Sequence, residues 1–163
     1  MPIVNYSLLT SLPGEQKILQ SFLYLAIFVP LGNQPPERRI LEKPDLARYY
    51  LGWGKKDDRA CFAVDGVQVL GVIWSRCFPE EDPGYGSIRL DIPELSIAVL
   101  PETRGMGIGT NLLSKFLDQL QQYYEAVSLS VHAVNPAFNL YQRFGFKVFK
   151  TKGHSVIMIK NFD

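Results

Sequence analysis

The apolar and polar positions of the chain follow two periods, and the boundary between them is sharpest over residues 93–120. Leu95 to Leu100 is dense in Ile, Val and Leu and is bounded by Pro93 and Pro101, the pattern of a short buried strand. Ile108, Leu112, Leu113, Phe116, Leu117 and Leu120 then recur on one face of a helix. Between the two lies Arg104-Gly105-Met106-Gly107-Ile108-Gly109, so a glycine loop opens that helix. Upstream, the pattern predicts a short strand near residues 3–8 and a helix over 15–29 with Ile18, Phe22, Leu25, Ala26 and Val29 inward. A second, short helix is expected over 45–51, capped by Asp45 or broken into by Pro44. A hairpin over 60–64 and 67–78 turns at Asp65-Gly66, which pairs Cys61 with Leu70. Downstream, 127–131 reads as a buried strand. Asn135 can cap the next helix, with Pro136 in its first position and Gly145 closing it. Residues 146–150 and 155–160 alternate as a terminal antiparallel pair joined around Lys152-Gly153-His154.

Hairpins ahead of a β-α-β unit make a mixed sheet, so the expected class is α/β or α+β. The 163 residues are one domain's worth, and no boundary or repeat divides them. With 47% hydrophobic and 20% charged residues the chain is too apolar for disorder. Seventeen basic residues against sixteen acidic ones leave a net charge of +1, which gives no electrostatic reason to expect nucleic acid as a partner. No Lys or Arg precedes Lys17, so a secretory leader is not expected. The longest apolar run, 22–31, is half of what a bilayer span needs and reads as core rather than membrane. Cys61 and Cys77 fall too far apart along the hairpin for a bridge, which favours a reduced, cytoplasmic setting.

The glycine loop carries the chemistry. Glycines let the backbone take dihedrals closed to other residues and approach a ligand closely, so several N–H groups can point at one anion. A helix start adds unpaired N–H groups and a positive dipole end, and Arg104 adds a full charge. A phosphate or pyrophosphate is the natural guest; a tight turn alone would need only one or two of these glycines. A P-loop is excluded, because no lysine follows the glycines. A dinucleotide fingerprint fits poorly: the glycines alternate as G-x-G-x-G, and the next strand ends in Val131-His132 without a carboxylate.

Arg104, Gly107 and Gly109, with a strand before and a helix after, resemble the cofactor motif of the GNAT superfamily of N-acetyltransferases: Arg or Gln, two residues, Gly, one residue, then Gly or Ala. Asn135, Tyr141 and Gly145-Phe146 resemble that superfamily's late helix. The likeness covers residues 60–160, with a cofactor core at about 93–146, and it leaves the first fifty residues and the loop after Cys77 without a match. It implies a GNAT-like, mostly antiparallel central sheet flanked by helices, acetyl-CoA (CoA) as cofactor, and a primary amine on a small molecule or peptide as acceptor. Similar proteins are frequently homodimers.

Roles follow from the resemblance. Backbone groups of Arg104, Gly105, Met106, Gly107, Ile108, Gly109 and Thr110 would take the pyrophosphate. Main-chain groups of Ile97, Ala98, Val99 and Leu100 would pair with the pantetheine arm, with Asn135 a further contact, although helix capping alone explains Asn135. Tyr141 would be the general acid, since a phenol keeps its proton at neutral pH; the alternative is a ring packed for structure. Glu94, at the start of the central strand, would be the general base, against the alternative of a solvated strand end. His132 is a rival base and His154 a weaker one. The acids Glu80, Glu81 and Asp82 and the charge run 55–59 read as exposed loop faces. No metal ligand set is assigned. A CoA-binding sensor without turnover, or a dinucleotide module, would be the competing classes. The acceptor would be chosen by the N-terminal helices and the 79–91 loop.

Overall fold

The computed structural model describes residues 5–163. Seven strands form one sheet in the order β1-β2-β3-β4-β5-β7-β6: β1 Ser7–Leu9, β2 Arg59–Asp65, β3 Gln68–Arg76, β4 Glu94–Val99, β5 Ala126–His132, β6 Lys147–Lys152 and β7 Ser155–Asn161. Only β4 and β5 run parallel; every other neighbouring pair is antiparallel. The mixed sheet read from the sequence, mostly antiparallel as the resemblance implies, is therefore present, with helices α1 Glu15–Ala26, α2 Pro44–Ala47, α3 Ile108–Leu120 and α4 Ala137–Arg143 around it. Residues 3 and 4 of the expected first strand lie outside the described residues.

Alternation along the strands splits the core in two, as the pleat requires. Cys61, Ala63, Ile73 and Leu95 face α3, whose six expected apolar positions are all buried there. Phe62, Val64, Val72 and Trp74 face the other way, onto Leu19, Phe22 and Leu23 of α1. That inward face of α1 is turned from the expected one: Ile18, Leu25 and Ala26 are only half-buried. The helix also stops three residues short of position 29, because Ile27 is already extended and Pro30 disfavours helical dihedrals at Val29.

The second helix is shorter still. It has Pro44 in its first position and Lys43, not Asp45, as its cap. The turns that follow are held by Arg76 of β3, whose guanidinium donates to the carbonyls of Arg48, Leu51 and Gly52. Arg76 is neutralised by Asp58 in a forked pair with both bonds at 3.0 Å. Asp58 thus departs from the exposed reading of the 55–59 charge run: its side chain is 5% exposed.

The hairpin differs in register. Its turn is Gly66-Val67, with Asp65 opposite Gln68, and a bulge at Leu70 shifts the ladder again, so Cys61 faces Ile73 rather than Leu70. The bulged Leu70 turns its carbonyl to the Leu100 N–H at 2.8 Å. Both cysteines are free. At the other end of the chain α4 closes as expected: Gly145, at φ 93°, sends its N–H to Gln142 O, and the Phe146 N–H reaches Tyr141 O, a Schellman closure. No helix among the described residues is long and apolar enough to cross a membrane.

Candidate active site

The parallel pair in the middle of the sheet barely pairs. β4 and β5 share one ladder position, Glu94 opposite Ser128, supported by Ser128 N–H to Pro93 O at 2.9 Å. Past it the strands part, β4 held along β3 and β5 held along β7. A cleft of about 1230 Å³ opens between them, with Leu95–Val99 on one wall and Leu129–His132 on the other. Backbone groups on the inner edge of β4 consequently lack a strand partner. An extended ligand with amides of its own can take that place.

The glycine loop stands at one end of the cleft. Gly105 and Gly107 adopt left-handed dihedrals, φ 80° and 82°, and a Cβ built on either would touch nothing within 4 Å. The first bond of α3 at this end runs from Asn111 N–H to Gly107 O, and no side chain caps the helix. The amides of Ile108, Gly109 and Thr110 therefore have no intrahelical acceptor. Arg104, Gly105, Gly107, Ile108, Gly109 and Thr110 all line the cleft. This is an open cradle with positive polarity, suited in charge to a phosphate or pyrophosphate. Two of the residues named from the sequence lie elsewhere. Met106 packs half-buried against the core, and Leu100 gives its N–H to Leu70 and packs between the two cores.

At the other end is Glu94, 4% exposed yet lining the cleft. Tyr49 Oη–H donates to its Oε2 at 2.7 Å, and Ser87 Oγ approaches Oε1 at 3.4 Å. Burial pushes the Glu94 carboxyl up to about 7, against the pull of bonds from Tyr49, the Gly86 backbone and Ser87 and of the Arg48 charge. Arg76 sits directly opposite Glu94 in the ladder, but its charge is spent on Asp58. A carboxyl balanced near neutrality can take up or release a proton at physiological pH.

The loop that covers Glu94 depends on two glycines. A methyl at Gly84 would run into Glu94 Oε1 and Tyr49 Oη; one at Gly86 would sit 2.6 Å from Leu129 C. Ser128 Oγ–H fixes the loop through Gly86 O at 2.7 Å. Tyr49, Gly84, Gly86 and Ser87 were not singled out from the sequence. They lie in segments without motif or periodicity, and only the long contact from residue 49 to residue 94 gives them their place.

Tyr141 lines the cleft beside Asn135 and Leu140. Its ring meets Phe146 edge-on at 5.9 Å, and its hydroxyl has no hydrogen-bond partner among the described residues. Burial pushes that hydroxyl up to about 12. Asn135 lines the cleft; α4 begins at Ala137 with Pro136, not Asn135, in the cap position, and Asn135 Oδ1, one residue earlier, accepts from the Ala137 N–H at 3.0 Å. His132 lines the cleft too, but its ring is sandwiched between Phe28 and His154 at 5.0 and 5.8 Å. Its Nδ1 accepts from the Val134 N–H at 3.3 Å.

A split parallel pair, an uncapped helix behind left-handed glycines and a poised carboxyl define a class. Residues 56–148 match the acetyltransferase (GNAT) domain family, and the chain belongs to that family. An N-alpha-acetyltransferase of Sulfurisphaera tokodaii is 35% identical over 116 residues, 65% of this chain and 68% of the relative. A mycothiol acetyltransferase of an Arthrobacter strain is 32% identical over 150 residues, 87% of this chain but only 42% of that longer protein. The crystal structure of PH1933 from Pyrococcus horikoshii superposes with a TM-score of 0.68 at 28% identity, covering 98% of this chain and 99% of the other.

Proposed function

We propose that the protein moves an acetyl group from acetyl-CoA to a primary amine, by direct attack within a ternary complex. The observation that carries this is the cleft itself: an unpaired inner edge of β4 leads from an open cradle of amides at Gly105–Thr110 to a carboxyl raised to about 7 at Glu94. When bound, acetyl-CoA supplies an acyl group activated as a thioester. The α3 amides and Arg104 hold its pyrophosphate, and the main chain of Ile97, Ala98 and Val99 holds the pantetheine amides. Glu94 takes a proton from the acceptor ammonium, directly or through a water. Tyr141 Oη, which burial keeps protonated at neutral pH, would give its proton to the thiolate released as the thioester C–S bond breaks and the amide bond forms. The acceptor end is lined by Leu23, Ile27, Phe28, Ile40 and Leu46, with Tyr24 and Arg38 beside them. A peptide N-terminus heads the list of amines to try, given the name of the 35%-identical relative.

The test pairs binding with turnover. Acetyl-CoA at about one hundred times its Kd should stabilise the protein by about 2.7 kcal/mol, a shift of several degrees. NAD should give none, and a variant carrying Arg104→Ala and Gly107→Glu should lose the shift. Thiol release with an amine panel should then rise with pH through about 7 and vanish in Glu94→Gln. No protection by acetyl-CoA at millimolar concentration would sink the proposal, and protection without turnover on any amine would leave a CoA-binding module in its place.

A further inference from the structure

Glu94 is held by a residue that belongs to no motif. Tyr49 follows α2, in the stretch whose carbonyls are gripped by Arg76; Tyr49's own carbonyl accepts from Trp74 Nε1–H at 3.0 Å. Its ring meets Phe78 edge-on at 5.1 Å and stacks with Tyr85 at 6.3 Å. Its hydroxyl accepts the Tyr85 N–H at 2.7 Å and donates to Glu94 Oε2 at 2.7 Å. Because the acceptor side of that hydroxyl is taken by an amide, its single proton is directed at the carboxylate.

We propose that Tyr49 is the positioning residue of the base: its hydroxyl, backed by the Tyr85 amide and fixed through Trp74 and Arg76, orients the Glu94 carboxylate and sets the pH at which it accepts a proton. This rests on Glu94 being the base of the reaction proposed above. The groups facing Glu94 are few. Tyr49 and Arg48 come from the segment after α2, and Ser87 and the Gly86 backbone from the covering loop. Arg76 opposes it on β3 but is paired with Asp58, and Arg48 is paired with Asp82 at 3.2 Å. Tyr85 turns its own hydroxyl to Asp45. Tyr49 is thus the one side chain making a short hydrogen bond to the Glu94 carboxylate among the described residues. Burial first, and the Glu94 charge second, hold the Tyr49 hydroxyl well above its ordinary value of 10, so it remains a donor across the working range.

The experiment titrates the side-chain carboxyl carbon of Glu94 by NMR in protein labelled with 13C-glutamate, with Glu94→Gln to assign the signal, in the parent and in Tyr49→Phe. Tyr49 donates to the charged form of Glu94, so loss of that hydrogen bond should raise the midpoint by about one unit or more. kcat/KM at pH near 7 should fall about tenfold in Tyr49→Phe and recover at higher pH. A merely structural tyrosine would lower activity equally at every pH. An unmoved carboxyl midpoint overturns the proposal, whatever the activity does. A moved midpoint in a protein that transfers no acyl group retains the Tyr49–Glu94 coupling and removes the reaction assigned to it. If Tyr49→Phe does not fold, the parent still decides: the Tyr49 hydroxyl proton should shift with the same midpoint as the carboxyl, and an independent response refutes the coupling.

Discussion

Burial of the Glu94 carboxyl makes part of this protein's stability depend on pH. With its folded value at about 7 against an ordinary 4.5, Glu94 binds a proton in the folded chain that the unfolded chain has already released. Stability from this group therefore falls as pH rises from about 4.5 to about 7 and is level beyond, by at most about 3 kcal/mol. Glu94→Gln removes the titration, so the gap in Tm between that variant and the parent should move in the variant's favour by several degrees from about pH 5 to about pH 8. A constant gap would mean that the carboxyl titrates near its ordinary value. The same burial that lowers stability at neutral pH is what leaves the group ready to take a proton from an amine.

At the scale of elements, the turn into α3 gives predictions of opposite sign. Gly107 sits at φ 82° with open space around it, so Gly107→Ala costs backbone strain of about 1–2 kcal/mol without a clash. Its new methyl also stands in the cradle, and thermal protection by acetyl-CoA should fall with it. Gly109 has no positive φ and would place a Cβ at 3.7 Å from Val99 Cγ2, ordinary contact. Gly109→Ala should leave Tm unchanged or raise it by a few degrees. This turn was legible in the sequence because its causes are local: the glycine spacing, the strand before it and all six buried positions of α3. The closure of α4 at Gly145 was legible for the same reason. The hairpin register was not, since a bulge at Leu70 is fixed by the bond its carbonyl accepts from Leu100, just past the end of β4. Nor was the inward face of α1, which the sheet beneath it decides, or the setting of Glu94, built by residues between 7 and 45 positions away.

Across the whole molecule, the segment that carries Tyr49 is tied to the sheet through one buried pair, Arg76 with Asp58. Asp58 takes two bonds from Arg76 and one each from the Gly54 and Lys55 amides, while Arg76 secures the stretch that carries Tyr49. Asp58→Ala strands a buried guanidinium and should cost about 3–5 kcal/mol, a Tm loss on the order of 10 °C. A loss of only a degree or two would show that the pair is dispensable. The parted strands have a different reach. Where β4 offers a ligand its main chain, any side chain that keeps the strand extended offers the same donors and acceptors. In the reading proposed above, an exchange at Ser96, Ile97 or Val99 that keeps the strand extended and the core contacts of Ile97 and Val99 filled would keep the same grip, so the site would be inherited as a shape of backbone rather than as a spelling of residues.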